Sequence, residues 1–472
     1  VELKTGPTSN FLRSCQISAN GLPDSLNALH IPAASWQDYS LHGISQFEIL
    51  LPVRNLHPRS GFGLAIDIGT TTVAACLWDL QDLTCRNTAS RSNRQARYGD
   101  NVLSRISYSI DNAEGPKHLQ EALLKQSLRP MILDMARESG IRMNDIGEAT
   151  VSGNPIMLHT FLGLPLKGFS SYPFAPEFLD TRICKANQLG WREDMKFQLL
   201  PGLGPFVGAD IAAGALAAGF LDAEPPVLLI DFGTNGEIIL KHAGGYFATA
   251  TAVGPAFEGG RLQCGAAARD GVIATLQWNE SDWIHSLCGN NHEAEVIGIS
   301  GAAYIDFLAV ARNHGILNAF GRFKENAPGV FAPDAPEDSG KRIFFENNQY
   351  ISETDIAELI QAKAAIAGGV ATLLELANLK PEDLKAIYVA GGFGYYLNST
   401  HARTIGLLPD LPDNRIHVIG NASLGGASLL LQAPDYTLFH ELIQNTEIIE
   451  LNQTKNFEDH FTDALMLEPM ES

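Results

Sequence analysis

Two short stretches carry the same arrangement of chemically capable residues: LAIDIGTTTVAA at Leu64 to Ala75 and LLIDFGTNGEII at Leu228 to Ile239. In each, an apolar run ends in Asp, a hydrophobic residue and Gly-Thr follow, and a second apolar run begins. Glycine lets a backbone bend and approach a ligand closely, and exposed N–H groups beside a Thr hydroxyl can cradle phosphate oxygens. A carboxylate beside phosphates calls for a divalent cation between them. Mg²⁺ is held in this way, by one or two carboxylates plus substrate phosphates. Asp67 and Asp231 are therefore the candidate Mg²⁺ holders, through water. Gly69, Thr70, Thr71 and Thr72 are candidate phosphate contacts, opposed by Gly233, Thr234, Asn235 and Gly236. Thr72 also reads as a strand residue.

The elements that must position these groups follow from the pattern around them. Apolar runs bounded by Gly read as buried strands, so each motif predicts a strand–turn–strand hairpin. A third strand, EATVSGN (Glu148 to Asn154), ends in Asn154, which is placed either to reach a γ-phosphate or its attacking water, or to form a turn. Another, AIYVAGGFG (Ala386 to Gly394), runs into Gly391, Gly392, Phe393 and Gly394, where bare backbone can take a flat nucleobase. Small residues predict close-packing helices at Gly208 to Leu221 and Thr354 to Leu379. Asp210 reads most simply as the N-cap of the first of these.

The two acidic turns are about one domain length apart, as duplication of a domain gives. The expected organisation is a leading linker or remnant of a small domain at 1–60, with one strand at Phe47 to Val53, then α/β halves at 61–225 and 226–430. EPP (Glu224 to Pro226) marks the join, and a helix–strand–helix tail fills 431–472. The chain has 472 residues, 45% of them hydrophobic, ample for two cores. A net charge of −20 argues against nucleic acid or an anionic membrane face as partner. No apolar run suggests a membrane span and no signal peptide is evident, so a cytoplasmic location is expected. The cysteines at 15, 76, 85, 184, 264 and 288 form no CxxC pair or cluster-binding spacing, so no iron–sulfur cluster is expected within the chain.

Hairpin, hairpin and glycine loop together resemble the superfamily of acetate and sugar kinases, heat-shock chaperones and actin. That resemblance implies two ribonuclease-H-like domains with ATP in the cleft between them. Longer segments narrow it: NRQARYGDNVLSRI (Asn93 to Ile106), VSGNPIMLHTFLGL (Val151 to Leu164), FVGADI (Phe206 to Ile211), TAVGPAFEGGRLQCG (Thr251 to Gly265) and VIGNASLGGA (from Val418). These look like the ATP-binding domain of the reductive activators of corrinoid-dependent enzymes, over roughly Gly61 to the C-terminus. The resemblance implies ATP and Mg²⁺ as cofactors and a corrinoid protein or corrinoid methyltransferase system as partner, with Co(II) taken to Co(I). Electrons would then come from a separate or missing iron–sulfur module. Where the family tends to show GICGSG, this chain reads GISGAAY at Gly298 to Tyr304.

For ATP hydrolysis, Glu237, Glu258 or a water ordered by Asp231 is the candidate base, Glu258 being equally suited to a ribose. His159 and Cys264 read as a packed helix residue and a core thiol. A small-molecule kinase on the same fold and a non-catalytic nucleotide sensor are the alternatives. An iron–sulfur cluster shared by Cys264 and Cys288 across a dimer is a remoter one. A homodimer is compatible with the sequence, which is otherwise silent on oligomeric state.

Overall fold

A computed structural model describes residues 28–31, 49–52, 57–289, 294–332, 340–392, 397–432 and 436–470. Phe393 and Gly394 lie outside the described residues, as does most of 1–56. Within that leading segment, Ala28–Ile31 pairs antiparallel with Ile49–Pro52, inside the strand expected at Phe47 to Val53.

The chain divides into two compact units. The first comprises 1–38, 44–223 and 421–448; the second comprises 39–43, 224–420 and 449–472. Among the described residues, the first crossing falls at the EPP stretch. The expected second half, however, ends at Gly420 rather than 430, and the expected tail is divided, 421–448 clustering with the first unit.

In the first unit, β1 (Phe62–Ile68), β2 (Thr72–Asp79) and β3 (Thr84–Ser92) form an antiparallel meander. The apolar runs of β1 and β2 are buried on both faces, which explains their unbroken hydrophobicity. Helix α1 (Val102–Asp111) follows, capped by Asn101. Then come β4 (Ile146–Gly153), helix α2 (Pro155–Leu162), β5 (Arg182–Lys185), β6 (Lys196–Leu199) and helix α3 (Ala209–Ala217). The sheet order is β3-β2-β1-β4-β6-β5, with β4 parallel to β1 and β6 parallel to β4.

The second unit repeats the frame. Its meander is β7 (Val227–Phe232), β8 (Gly236–His242) and β9 (Gly245–Thr251). An insertion follows, holding the hairpin Val272–Asn279/Asp282–Leu287 and helix α4 (Gly301–Asn313). Helix α5 (Glu353–Leu376) starts in a capping box between Ser352 and Asp355. Strands β10 (Ala386–Ala390) and β11 (Ile416–Gly420) then extend the sheet in the order β11-β10-β7-β8-β9, β10 parallel to β7 and β11 parallel to β10. The core five strands thus have the same order and directions in both units, the ribonuclease-H-like arrangement.

By length and composition α5 is long and apolar enough to cross a membrane, a feature the sequence reading did not single out. Yet 78% of its apolar stretch is buried within the protein. Its small residues serve packing: a Cβ at Gly369 would lie 2.9 Å from Ile238 Cδ1 on β8. Helix α6 (Ala422–Gln432) returns to the first unit and packs on α3 so closely that a Cβ at Gly426 would lie 2.0 Å from the Ala213 carbonyl oxygen.

Candidate functional site

The first unit's acidic turn is a tight hairpin. Gly69 N–H donates to Thr72 O at 2.9 Å, and a Cβ at Gly69 would lie 2.6 Å from that oxygen, so only glycine fits. Thr72 opens β2, which makes it a strand residue at the turn's exit. Thr70 is buried, and its hydroxyl accepts from Asn154 Nδ2 at 3.1 Å. Asn154 is also the N-cap of α2, accepting from Met157 N–H at 3.0 Å. The turn-forming and site-facing readings of Asn154 are thus both partly met: it caps a helix and holds the Thr70 side chain.

Asp67 sits at the end of β1, level with Ser152 on β4. Its Oδ1 accepts from Ser423 Oγ at 2.7 Å and its Oδ2 from Asn421 Nδ2 at 2.9 Å. Burial pushes the Asp67 carboxyl upward, and these two hydrogen bonds oppose that shift. Asp210 is a close neighbour. It is not the N-cap of α3; Gly208 holds that position, and Asp210 lies in the first turn. A side chain at 208 cannot be accommodated, since a Cβ would lie 2.5 Å from Asp210 Oδ1 and 2.6 Å from Asn154 Cα. Burial and then the Asp67 charge raise Asp210 to about 7. A buried carboxyl raised further by a neighbouring carboxylate is relieved by a cation, so the residues present fit Mg²⁺.

Behind the turn, Asn93 Nδ2 donates to Gly69 O at 3.0 Å, Arg105 Nη2 to Thr70 O at 2.7 Å, and Asn93 N–H to Thr71 O at 2.7 Å. The three carbonyls of the turn are therefore committed to one side.

The second unit's turn is built on the same frame. Asp231 lies level with Ala390 on β10, as Asp67 lies level with Ser152, and each partner strand continues into glycine: Gly153 and Gly391. Gly391 has φ +96°, and a Cβ there would lie 2.5 Å from Phe232 O and 3.0 Å from Asp231 Oδ1. Gly391 thus packs against the acid, whereas a Cβ on exposed Gly392 would meet nothing within 4 Å. Gly233 and Asn235 close the turn through a 3.2 Å backbone bond. Thr234 is buried, its hydroxyl donating to Glu258 Oε2 at 3.1 Å. Glu237 is buried directly across the strand pair from Asp231. Gly236 belongs to β8 and is packed from within: a Cβ would lie 2.3 Å from Ile366 Cδ1.

His159 is fully buried, stacked on Phe178 with ring centroids 4.4 Å apart, and its Nδ1–H donates to Pro155 O at 2.7 Å. Cys288 is fully buried, and Cys264 is half-buried, its Sγ accepting from Tyr350 N–H at 3.4 Å. Asn93, Arg105, Asn421 and Ser423 were not singled out by the sequence reading. They lie inside the motifs NRQARYGDNVLSRI and VIGNASLGGA, and that is the signal that points to them.

Comparison with known proteins adds to this geometry. Residues 225–472 match the model of the C-terminal domain of RACo, the ASKHA domain, and residues 62–223 match the RACo middle region. The two matches meet at the crossing between the units. The chain is similar to the corrinoid activation enzyme RamQ of Eubacterium limosum, 30% identical over 416 residues, covering 84% of this chain and 68% of the relative. It is also similar to the [Co(II) methylated amine-specific corrinoid protein] reductase of Methanosarcina barkeri, 25% identical over 400 residues, covering 78% and 70%. Among solved structures, a reductive activator for corrinoid, iron–sulfur protein superposes with a TM-score of 0.79 at 32% identity, covering 88% of this chain and 67% of that one.

Proposed function

The chain belongs to the RACo family of ATPase-type activators, and on that premise we propose that it couples ATP to the reduction of a partner corrinoid protein, taking cobalt from Co(II) to Co(I). The observation that carries this reading is the repetition of one acidic turn, Asp67 and Asp231, at the same place in two copies of one strand frame. Both turns serve one bound nucleotide. Asp67 and Asp231, with Asp210 beside the first, are the residues that would hold a hydrated Mg²⁺. The ion, when bound, neutralises phosphate charge that the acidic side chains alone would repel.

The chain's own groups do the remaining work. Thr70, whose hydroxyl accepts from Asn154, presents backbone and hydroxyl donors to the phosphates, and Thr234, whose hydroxyl donates to Glu258, presents its backbone. Glu237, across from Asp231, orders the attacking water together with it. Open backbone at Gly392 takes the nucleobase. The partner is a corrinoid protein or corrinoid methyltransferase system, and electrons come from an iron–sulfur module that is separate from, or missing from, this chain.

The test is ATP turnover, with and without a Co(II) corrinoid protein and a low-potential donor, alongside the Co(I) absorbance. The reading predicts ATP hydrolysis stimulated by the Co(II) partner and Co(I) formed only when ATP is present. ATP consumed with a small metabolite instead, or bound with no turnover and no cobalt reduction, would replace it with a kinase or a nucleotide sensor.

A further inference from the structure

The roles proposed above leave Arg105 unused. This residue, at the fourth position of α1, is fully buried. Its Nε donates to Gly99 O at 2.9 Å, Nη1 to Gln95 Oε1 at 3.1 Å and Nη2 to Thr70 O at 2.7 Å, while Nη1 lies 3.4 Å from Met157 Sδ. Every one of these acceptors is neutral. Burial lowers Arg105 only to about 10, so it stays a cation at neutral pH. A buried guanidinium is costly unless an opposite charge answers it. Here its hydrogen bonds all go to neutral acceptors, and the carboxylate that acts on its charge, Asp100, does so from outside those bonds.

The position says which further anion the charge can serve. Arg105 grips the carbonyl of Thr70 from behind the acidic turn, and Asn93 grips that of Gly69. In a planar trans peptide the N–H points opposite to the C=O. Pulling these two oxygens inward aims the N–H groups of Thr70 and Thr71 away from the buried scaffold. A cation on a carbonyl also polarises the peptide and makes its N–H a stronger donor.

We propose that Arg105 is a positioning residue and buried counter-charge for the nucleotide's phosphates, acting through the Thr70–Thr71 peptide without touching the ligand. The inference rests on the nucleotide-binding reading. Its signature is selectivity for phosphorylated ligands: adenosine, having no phosphate, does not sense the charge.

The experiment compares Arg105→Gln, which keeps a donor and removes the charge, with Arg105→Lys, which keeps the charge. Dissociation constants for ATP, ADP and adenosine are measured for each, with thermal melting as a control. Arg105→Gln is expected to weaken ATP and ADP about tenfold, the scale of a unit charge acting through several ångströms of protein. Adenosine should change by less than about twofold, and Arg105→Lys should recover most of the ATP-over-adenosine preference. Parallel weakening of all three ligands would mark Arg105 as merely structural, and unchanged selectivity would also overturn the proposal. Salt gives a second measurement on the unmodified protein. A buried charge is poorly screened, so the preference should persist up to about 1 M NaCl, and its collapse would contradict the inference. Should the unmodified protein bind neither ATP nor adenosine, the nucleotide reading itself fails; selectivity that survives Arg105→Gln sinks the Arg105 role alone.

Discussion

Asp67 shows what sequence can and cannot convey about a single residue. Its type, its place after an apolar run and the Gly-Thr that follows are local facts, and they were enough to nominate it. Its partners, Asn421 and Ser423, lie 354 and 356 positions away, and no spacing rule connects them. Asp210 was misread as a cap for the same reason: Asp at a helix start is ordinarily a cap, and only the fold brings Asp67 close enough to raise it. The two glycines after β10 looked equivalent in sequence, yet they separate in the structure. Gly391→Ala should be a folding defect, because a side chain at φ +96° meets Phe232 O. Gly392→Ala should melt like the unmodified protein but bind ATP more weakly, since its open face is the proposed seat of the nucleobase. Melting curves beside ATP titrations check both; an unchanged ATP affinity for Gly392→Ala would remove that residue from the site.

The elements were legible where one signal dominated. Both hairpins follow from apolar runs broken by glycine, and α5 follows from a long small-residue pattern opened by a Ser–Asp capping box. The fourth strands, β4 and β10, carry a local apolar mark, but the fifth strands, β6 and β11, and the parallel pairing of both are long-range facts with none. The contact between α3 and α6 is another: AAGALAAG and LGGASLL show small residues, but not which partner they meet. With the Ala213 carbonyl 2.0 Å from a Cβ at 426, Gly426→Ala should cost about 1–3 kcal/mol, read as a lowered urea midpoint. An unchanged midpoint would mean the helices can part at no cost. Helix α2 yields a pH prediction. Burial depresses His159 from 6.5 to about 4. Above pH 6.5 both folded and unfolded states are neutral and the residue contributes nothing. As pH falls from 6.5 towards 4, only the unfolded chain takes up the proton, so stability drops by about 3 kcal/mol in total. His159→Leu should flatten the fall in urea midpoint between pH 7 and 4.5; parallel slopes for the two proteins would contradict the assignment.

At the scale of the whole molecule, duplication organises everything. Two units share a strand order, each sets an Asp at the end of its first strand, and among the described residues the chain passes between them at 223/224, 420/421 and 448/449. Asn421, which donates to Asp67, is the first residue after the second of these passages. Under the proposed function, nucleotide binding at Asp67 would bear directly on a segment where the chain changes units, as a device that converts ATP into a change in partner affinity needs. Moving a two-state protein from 1:99 to 99:1 takes a differential affinity of about 10⁴, or ~5.5 kcal/mol. The account's central claim is that both acidic turns serve one Mg²⁺–ATP, and calorimetric titration of the intact chain with Asp67→Asn and Asp231→Asn tests it most directly. The account predicts one ATP per chain and loss of the Mg²⁺-dependent part of the affinity in either single variant. Two independent ATP sites, or full Mg²⁺-dependent binding after either substitution, would contradict it.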